Sequence, residues 1–114
     1  MKIGNYILIR ASRNILRDEW TNIGLMLFDD KESLVSIKFS FKRAIDRNDM
    51  ALDTLGAGEE KLESFYTEMF ETLDAVKHFR ESTSHSMSQI QFGQILTARL
   101  QDNTFQDIFE KLVL

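Results

Sequence analysis

Three side chains that can form directional hydrogen bonds, Arg17, Glu19 and Asn22, lie close together just before a wholly apolar run at residues 23–28. Glu19 can act as a base, Arg17 can hold an anion and Asn22 can orient a bound group, so the three are a candidate site. The same groups also suit a structural network that ties the preceding loop to the strand. We prefer that structural interpretation, because no residue here identifies a reaction.

Two further arginines are candidates for binding. Arg10 interrupts the apolar pattern of the first predicted strand near its end, where its guanidinium can reach water or the carboxylate of Glu19. Arg43 belongs to a basic group with Lys42 and Arg47. The alternative for Arg10 is an ion pair at the edge of the core, and for the basic group a solvated surface.

Metal and cofactor chemistry have little support in the sequence. The chain has no cysteine and only two histidines, His78 and His85. Thiolate ligands, disulfides and cysteine nucleophiles are therefore excluded. The carboxylates of the acidic run at residues 29–32 lack the glycine and the ligand order of a calcium loop. We expect no metal site and no cofactor, and we favour a role other than catalysis.

The composition is that of one soluble domain. The 114 residues carry 18 acidic and 14 basic side chains, a formal charge of −4, which disfavours broad binding to a phosphate backbone. No apolar run approaches the length of a membrane helix, and no apolar signal sequence opens the chain. These features predict a single domain over residues 1–114 in the cytoplasm.

Four segments are predicted as strands. Residues 5–11 and 23–28 are apolar in both side-chain phases, as in strands buried on both sides. Apolar and polar side chains alternate along residues 34–40, which predicts a strand with one face exposed to solvent. The short polar run before this strand predicts a hairpin loop. The last strand covers residues 89–100, where Gly93 predicts a bulge or a close backbone approach.

Simple alternation assigns the faces of two of these strands. In the second strand it places Ile23 with Leu25 and Leu27, opposite Met26 and Phe28. In the last strand it puts four apolar residues in one phase, namely Ile90, Phe92, Leu96 and Ala98.

Two helical segments follow from apolar residues at spacings of three and four. One long helix is predicted over residues 59–81, packing across the sheet through Phe65, Met69, Phe70 and Leu73. A closing helix begins near residue 104. The expected fold is α+β, a small mostly antiparallel sheet of about four strands with helices packed on one face.

The run Arg17-Asp18-Glu19-Trp20-Thr21-Asn22-Ile23-Gly24 resembles a bacterial family catalogued as domain of unknown function three-zero-three-seven. Members of that family show an Arg-x-Glu-aromatic-x-Asn-Ile/Val-Gly run leading into an apolar strand. The step Arg43-Ala44 and the final Phe109-x-x-Leu112-Val113 extend the resemblance.

The resemblance implies a partner more than a reaction. Members of the family are often encoded beside HipA-like kinases of toxin systems, which points to a small interaction or regulatory module with such a kinase as partner. One alternative is a small enzyme or ligand-binding domain that uses Arg17, Glu19 and Asn22. A second alternative, a nucleic-acid binder, rests on the arginine clusters alone and is opposed by the acidic total.

Overall fold

The computed structural model describes residues 2–11, 20–43, 58–82, 90–100 and 104–114. Its elements in chain order are β1 (Ile3–Ala11), β2 (Thr21–Phe28), β3 (Leu34–Phe39), α1 (Glu59–Met69), α2 (Leu73–Ser82), β4 (Ile90–Arg99) and α3 (Thr104–Leu112). The strands form one four-stranded sheet in the order β3-β2-β1-β4, and every neighbouring pair is antiparallel. The predicted α+β class with a four-stranded antiparallel sheet is confirmed.

The sheet is covered by helices on both of its faces. On one, the α1/α2 face, Ile7 and Ile9 of β1 pack with Phe70 and Val76. On the other, the α3 face, Tyr6 and its neighbours pack with Phe109 and Val113. We expected helices on one face only. Strands that are apolar in both phases need cover on both sides, and α3 supplies the second cover.

Two bulges beside β1 change which side chains share a face. Ile9 pairs with Gly24 but Arg10 pairs with Asn22, so Ile23 is an extra residue in β2. Ile23 consequently packs with Met26 and Phe28 in the core of the α1/α2 face, not with Leu25 and Leu27 as simple alternation predicted. A bulge inserts one residue and so reverses the alternation that follows it.

The second bulge lies in β4, where the sequence predicted one at Gly93. Ile7 pairs with Ile95 while Ile9 pairs with Phe92, so Gly93 and Gln94 together face one residue of β1. Phe92 packs on the α1/α2 face, whereas Leu96 and Ala98 pack on the α3 face. The expectation that these residues share one phase was wrong for the same reason as in β2.

The predicted long helix is two helices. The chain breaks between Met69 and Leu73, where Thr72 forms a bridge with Ser33 in the hairpin loop. The backbone N–H of Leu34 donates to the carbonyl of Glu71 at 2.9 Å, and the N–H of Ala75 donates to the Thr72 hydroxyl at 3.3 Å. A threonine in that position caps the start of a new helix.

The break divides the residues expected to anchor the long helix. Phe70 and Leu73 are buried as predicted, at 3% and 1% exposure. Phe65 and Met69 are exposed at 54% and 49%, so the expectation that they pack on the sheet was wrong. Leu62 and Tyr66 face the sheet from α1 in their place.

The predicted hairpin loop between β2 and β3 is confirmed. The Asp29 carboxylate accepts the backbone N–H groups of Lys31 at 2.9 Å and Ser33 at 3.0 Å. Glu32 has a φ of 64°, a left-handed conformation that a tight loop requires. No helix in the described part of the chain is long and apolar enough to cross a lipid bilayer.

Candidate functional site

Arg10 lies near the end of β1, between the two bulges. Its cross-strand neighbours are Asn22 of β2 and Gln91 of β4. Because it follows Tyr6 and Leu8 in strand alternation, Arg10 belongs to the α3 face of the sheet. Bulges are frequent beside functional sites, where they redirect side chains. Two of the candidate residues, Arg10 and Asn22, are therefore neighbours at this end of β1.

The guanidinium of Arg10 stacks on an aromatic ring. Its central carbon lies 4.7 Å from the centroid of the Trp20 ring, a cation–π distance. The Nε atom of Arg10 is buried and has no hydrogen-bond partner. Buried polar atoms of native proteins are nearly always hydrogen-bonded, so this donor is an exception that needs an explanation.

Asn22, the neighbour of Arg10, holds the end of the last helix. Its amide Nδ2 donates to the Leu112 carbonyl at 2.9 Å. The last carbonyls of a helix have no partner inside the helix, so an amide donor from the sheet satisfies one of them. The bond joins β2 to α3 and uses one of the two N–H groups of that amide.

Arg43 binds the same end of α3 with three donors. Nη1 donates to the Leu112 carbonyl at 3.1 Å, Nη2 to the Lys111 carbonyl at 3.0 Å, and Nε to the Leu114 carbonyl at 3.0 Å. A cation at a helix C-terminus also interacts favourably with the helix dipole. In the structure Arg43 is a cap for α3.

The structure thus brings Arg10, Asn22 and Arg43 to one end of the α3 face. Asn22 and Arg43 share the Leu112 carbonyl, and Arg10 lies beside Asn22 across the strand pair. Arg17 and Glu19 lie outside the described residues. The hypothesis that Arg17, Glu19 and Asn22 form one site therefore stays a prediction.

Trp20 and the end of α3 were not predicted from the sequence to take part in this site. The only usable signal for Trp20 was its place inside the Arg-x-Glu-aromatic-x-Asn run. The backbone carbonyls that Asn22 and Arg43 bind carry no signal, because every residue has one. Contacts of this kind become visible only when the sheet and α3 are brought together.

Burial raises the pKa of both tyrosines, Tyr6 and Tyr66. Tyr6 is fully buried under α3 and its hydroxyl has no hydrogen-bond partner. Burial raises the pKa of Tyr6 above its ordinary value, and burial raises the pKa of Tyr66 to about 12. The charged phenolate would lose its hydration in the core, so both side chains keep their protons to a higher pH than a free tyrosine does.

The solvent-facing side of α1 carries a second unusual feature. Phe65 and Met69 stand one helical turn apart and are about half exposed. The centroid of the Phe65 ring lies 5.8 Å from that of the Tyr66 ring. The Tyr66 centroid in turn lies 5.3 Å from that of the Phe70 ring. Two exposed apolar residues four positions apart lie on the same face of a helix, and we call Phe65 and Met69 together the α1 patch.

Comparison with known proteins gives a family and no activity. The model of the family described as "Protein of unknown function (DUF3037)" matches residues 6–113. No curated protein and no solved structure matches the chain.

Among the described residues, no group of three or more histidine, aspartate or glutamate side chains is placed to hold a metal ion.

Proposed function

The chain belongs to the DUF3037 family, and we propose that it acts as a small protein-interaction or regulatory module in the cytoplasm, with a HipA-like kinase as its partner. The observation that carries the proposal is the α1 patch. Phe65 and Met69 repeat the helical spacing of a core face, yet about half of each side chain is in contact with water. The lack of cysteine agrees with a reducing compartment.

The chemistry of the α1 patch suits a protein partner. Single exposed apolar residues are common on protein surfaces and need no explanation. Here an aromatic and a methionine side chain are neighbours on one helix, and these two residue types are enriched at the centres of protein interfaces. Their burial on binding would supply the apolar contact that a specific complex needs.

Charged side chains of both signs lie beside Phe65 on α1. Lys61 is one turn before Phe65 and Glu68 is three residues after it, and both are exposed. Charged groups at the rim of an interface set orientation and association rate more than affinity. A partner surface with charges of both signs around an apolar centre would complement this rim.

The proposal is tested with the HipA-like kinase encoded in the same genome, both proteins purified and mixed in a titration calorimeter. We expect a complex that Phe65→Ala and Met69→Ala each weaken by about tenfold or more, as expected of central interface residues. Their melting temperatures should stay near that of the unmodified protein, because neither side chain is part of the core.

Ile3→Ala is the matched control, since Ile3 is also apolar and 48% exposed but lies at the start of β1. It should leave the affinity unchanged. Absence of any complex would contradict the proposed partner. A complex that all three variants form with the affinity of the unmodified protein would contradict the assignment of the α1 patch.

A further inference from the structure

The hydrogen bonds of the described residues do not account for the guanidinium of Arg10. Arg10 stands on β1, an inner strand with neighbours on both sides, and its Nε is buried without a hydrogen-bond partner. A buried donor that loses its water and gains no partner destabilises the folded state. An apolar side chain of similar length would fill the same space without that cost. A ligand for the guanidinium would account for a charged side chain at this position.

Stacking on Trp20 holds the guanidinium of Arg10 in one orientation. With the guanidinium carbon 4.7 Å from the ring centroid, one face of the planar group is covered by the indole. The side chain as a whole is partly exposed while Nε is enclosed, so the terminal amino groups are the part that a ligand can reach. Two coplanar N–H donors match the two oxygens of a carboxylate.

We propose that Arg10, positioned by Trp20, binds a carboxylate at this end of the α3 face. A single guanidinium on a chain with a formal charge of −4 suits a singly charged anion better than a doubly charged phosphate. The nearby cation, Arg43, has Nε, Nη1 and Nη2 bound to backbone carbonyls of α3. The site is independent of the α1 patch and of the partner proposed for it.

The chain offers a direct probe of this site, because Trp20 is its one tryptophan. Intrinsic fluorescence is recorded while sodium acetate, a glutamate blocked at both backbone ends, or inorganic phosphate replaces sodium chloride at constant ionic strength. We expect a saturable change with both carboxylates and a weaker response to phosphate. Similar affinities would indicate a free small carboxylate as the natural ligand, and tighter binding of the blocked glutamate would indicate an acidic side chain.

Variants of Arg10 decide whether the signal comes from the proposed contact. Arg10→Met should abolish the titration and melt at or above the temperature of the unmodified protein. Arg10→Lys keeps the charge but loses the planar pair of donors, and should weaken binding by about tenfold. Arg80→Met is the matched control, because Arg80 is exposed on α2, and it should titrate normally.

Three results would overturn the proposal. The first is the absence of a saturable fluorescence change with either carboxylate. The second is tighter binding of phosphate than of the carboxylates. The third is a titration of Arg10→Lys that does not differ from that of the unmodified protein. The lysine variant keeps the test decisive if Arg10→Met does not fold. None of these outcomes depends on the kinase complex, so this proposal and the proposed function can fail separately.

Discussion

Asn22, Arg43 and Arg10 show how three candidate residues of similar chemistry come to differ once the chain is folded. Asn22 Nδ2 and the Arg43 guanidinium donate to carbonyls at the end of α3, where an unpaired carbonyl would cost stability. Arg10 has a buried nitrogen with no such partner. Hydrogen bonding explains the first two residues as parts of the fold, and the third is the residue for which we propose a ligand.

Tyr6 has a buried hydroxyl without a partner, and its removal should not weaken the fold. The side chain is fully enclosed on the α3 face. Tyr6→Phe keeps the ring and removes a desolvated polar group, so we expect the free energy of unfolding to stay level or to rise by about 1 kcal/mol. Urea denaturation checks this. A loss of about 1 kcal/mol or more would reveal a hydrogen bond that the hydroxyl makes in solution.

At the scale of elements, the strands were predictable and their faces were not. The apolar runs and polar turns of the sequence predicted β1, β2, β3 and β4 close to where they lie. The face of a side chain also depends on register, and one inserted residue reverses it. Ile23 shows this, because nothing in its own residue type distinguishes an extra residue from a paired one.

The break between α1 and α2 was missed because helical spacing continues through it. Leu62, Tyr66, Phe70 and Leu73 follow the three-four pattern without interruption, so the sequence reads as one helix. The deciding contacts are long-range: Thr72 bridges Ser33, and the N–H of Leu73 donates to the Glu32 carbonyl at 2.9 Å. Tertiary pairing with the hairpin loop outweighs the small gain of a continuous helix.

The cap of α2 gives a prediction for this break. Thr72→Ala removes the hydroxyl that accepts the Ala75 N–H, and should lower the free energy of unfolding by about 1 kcal/mol. Thr67→Ala is the control, since Thr67 is exposed within α1 and its hydroxyl donates to the Glu63 carbonyl. Alanine suits a helix interior better than threonine, so Thr67→Ala should be neutral or slightly stabilising. Equal melting temperatures for the two variants would argue against the cap.

At the scale of the whole molecule, buried tyrosines set an alkaline limit on stability. The pKa of Tyr66 is about 12 in the folded protein and 10.0 for the unperturbed group. Below pH 10 both states keep the proton, and the folded state has its full stability. As the pH rises from 10 towards 12 the unfolded chain releases the proton first, so stability falls.

Urea denaturation between pH 10 and 12 should show that the free energy of unfolding falls as the pH rises. The phenolate absorbance of the native protein should appear at a higher pH than that of free tyrosine. Tyr66→Phe should remove part of the pH dependence and leave the contribution of Tyr6, whose pKa is also raised by burial. A native protein whose tyrosines titrate at the ordinary value would contradict the burial of both side chains.

The sequence predicted the class of the fold and the four strands, but not the layering of helices around them. The residues that decide the layering were nevertheless visible. β1 and β2 are apolar in both phases, and α3 is amphipathic through Phe109 and its neighbours. In the described residues, the sheet therefore has one apolar core on each face, with the strands between them.

These two cores can be tested for independence with conservative core variants. Phe70 packs on the α1/α2 face and Phe109 on the α3 face. Phe70→Leu and Phe109→Leu should each lower the free energy of unfolding by roughly 1–2 kcal/mol, mild enough for the double variant to remain folded. Because the two side chains belong to different core clusters of the described residues, the double variant should lose the sum of the single losses to within about 0.5 kcal/mol.

A pair on one face should behave differently. Phe70 and Phe92 lie on the α1/α2 face with ring centroids 5.0 Å apart. Phe70→Leu combined with Phe92→Leu should depart from the sum of the single losses by about 0.5 kcal/mol or more, because each substitution removes a contact of the other ring. Urea denaturation of the five variants and the unmodified protein gives both sums. Additivity for this pair and a large coupling between Phe70 and Phe109 would mean that the side chains are not divided by the sheet as the structure places them.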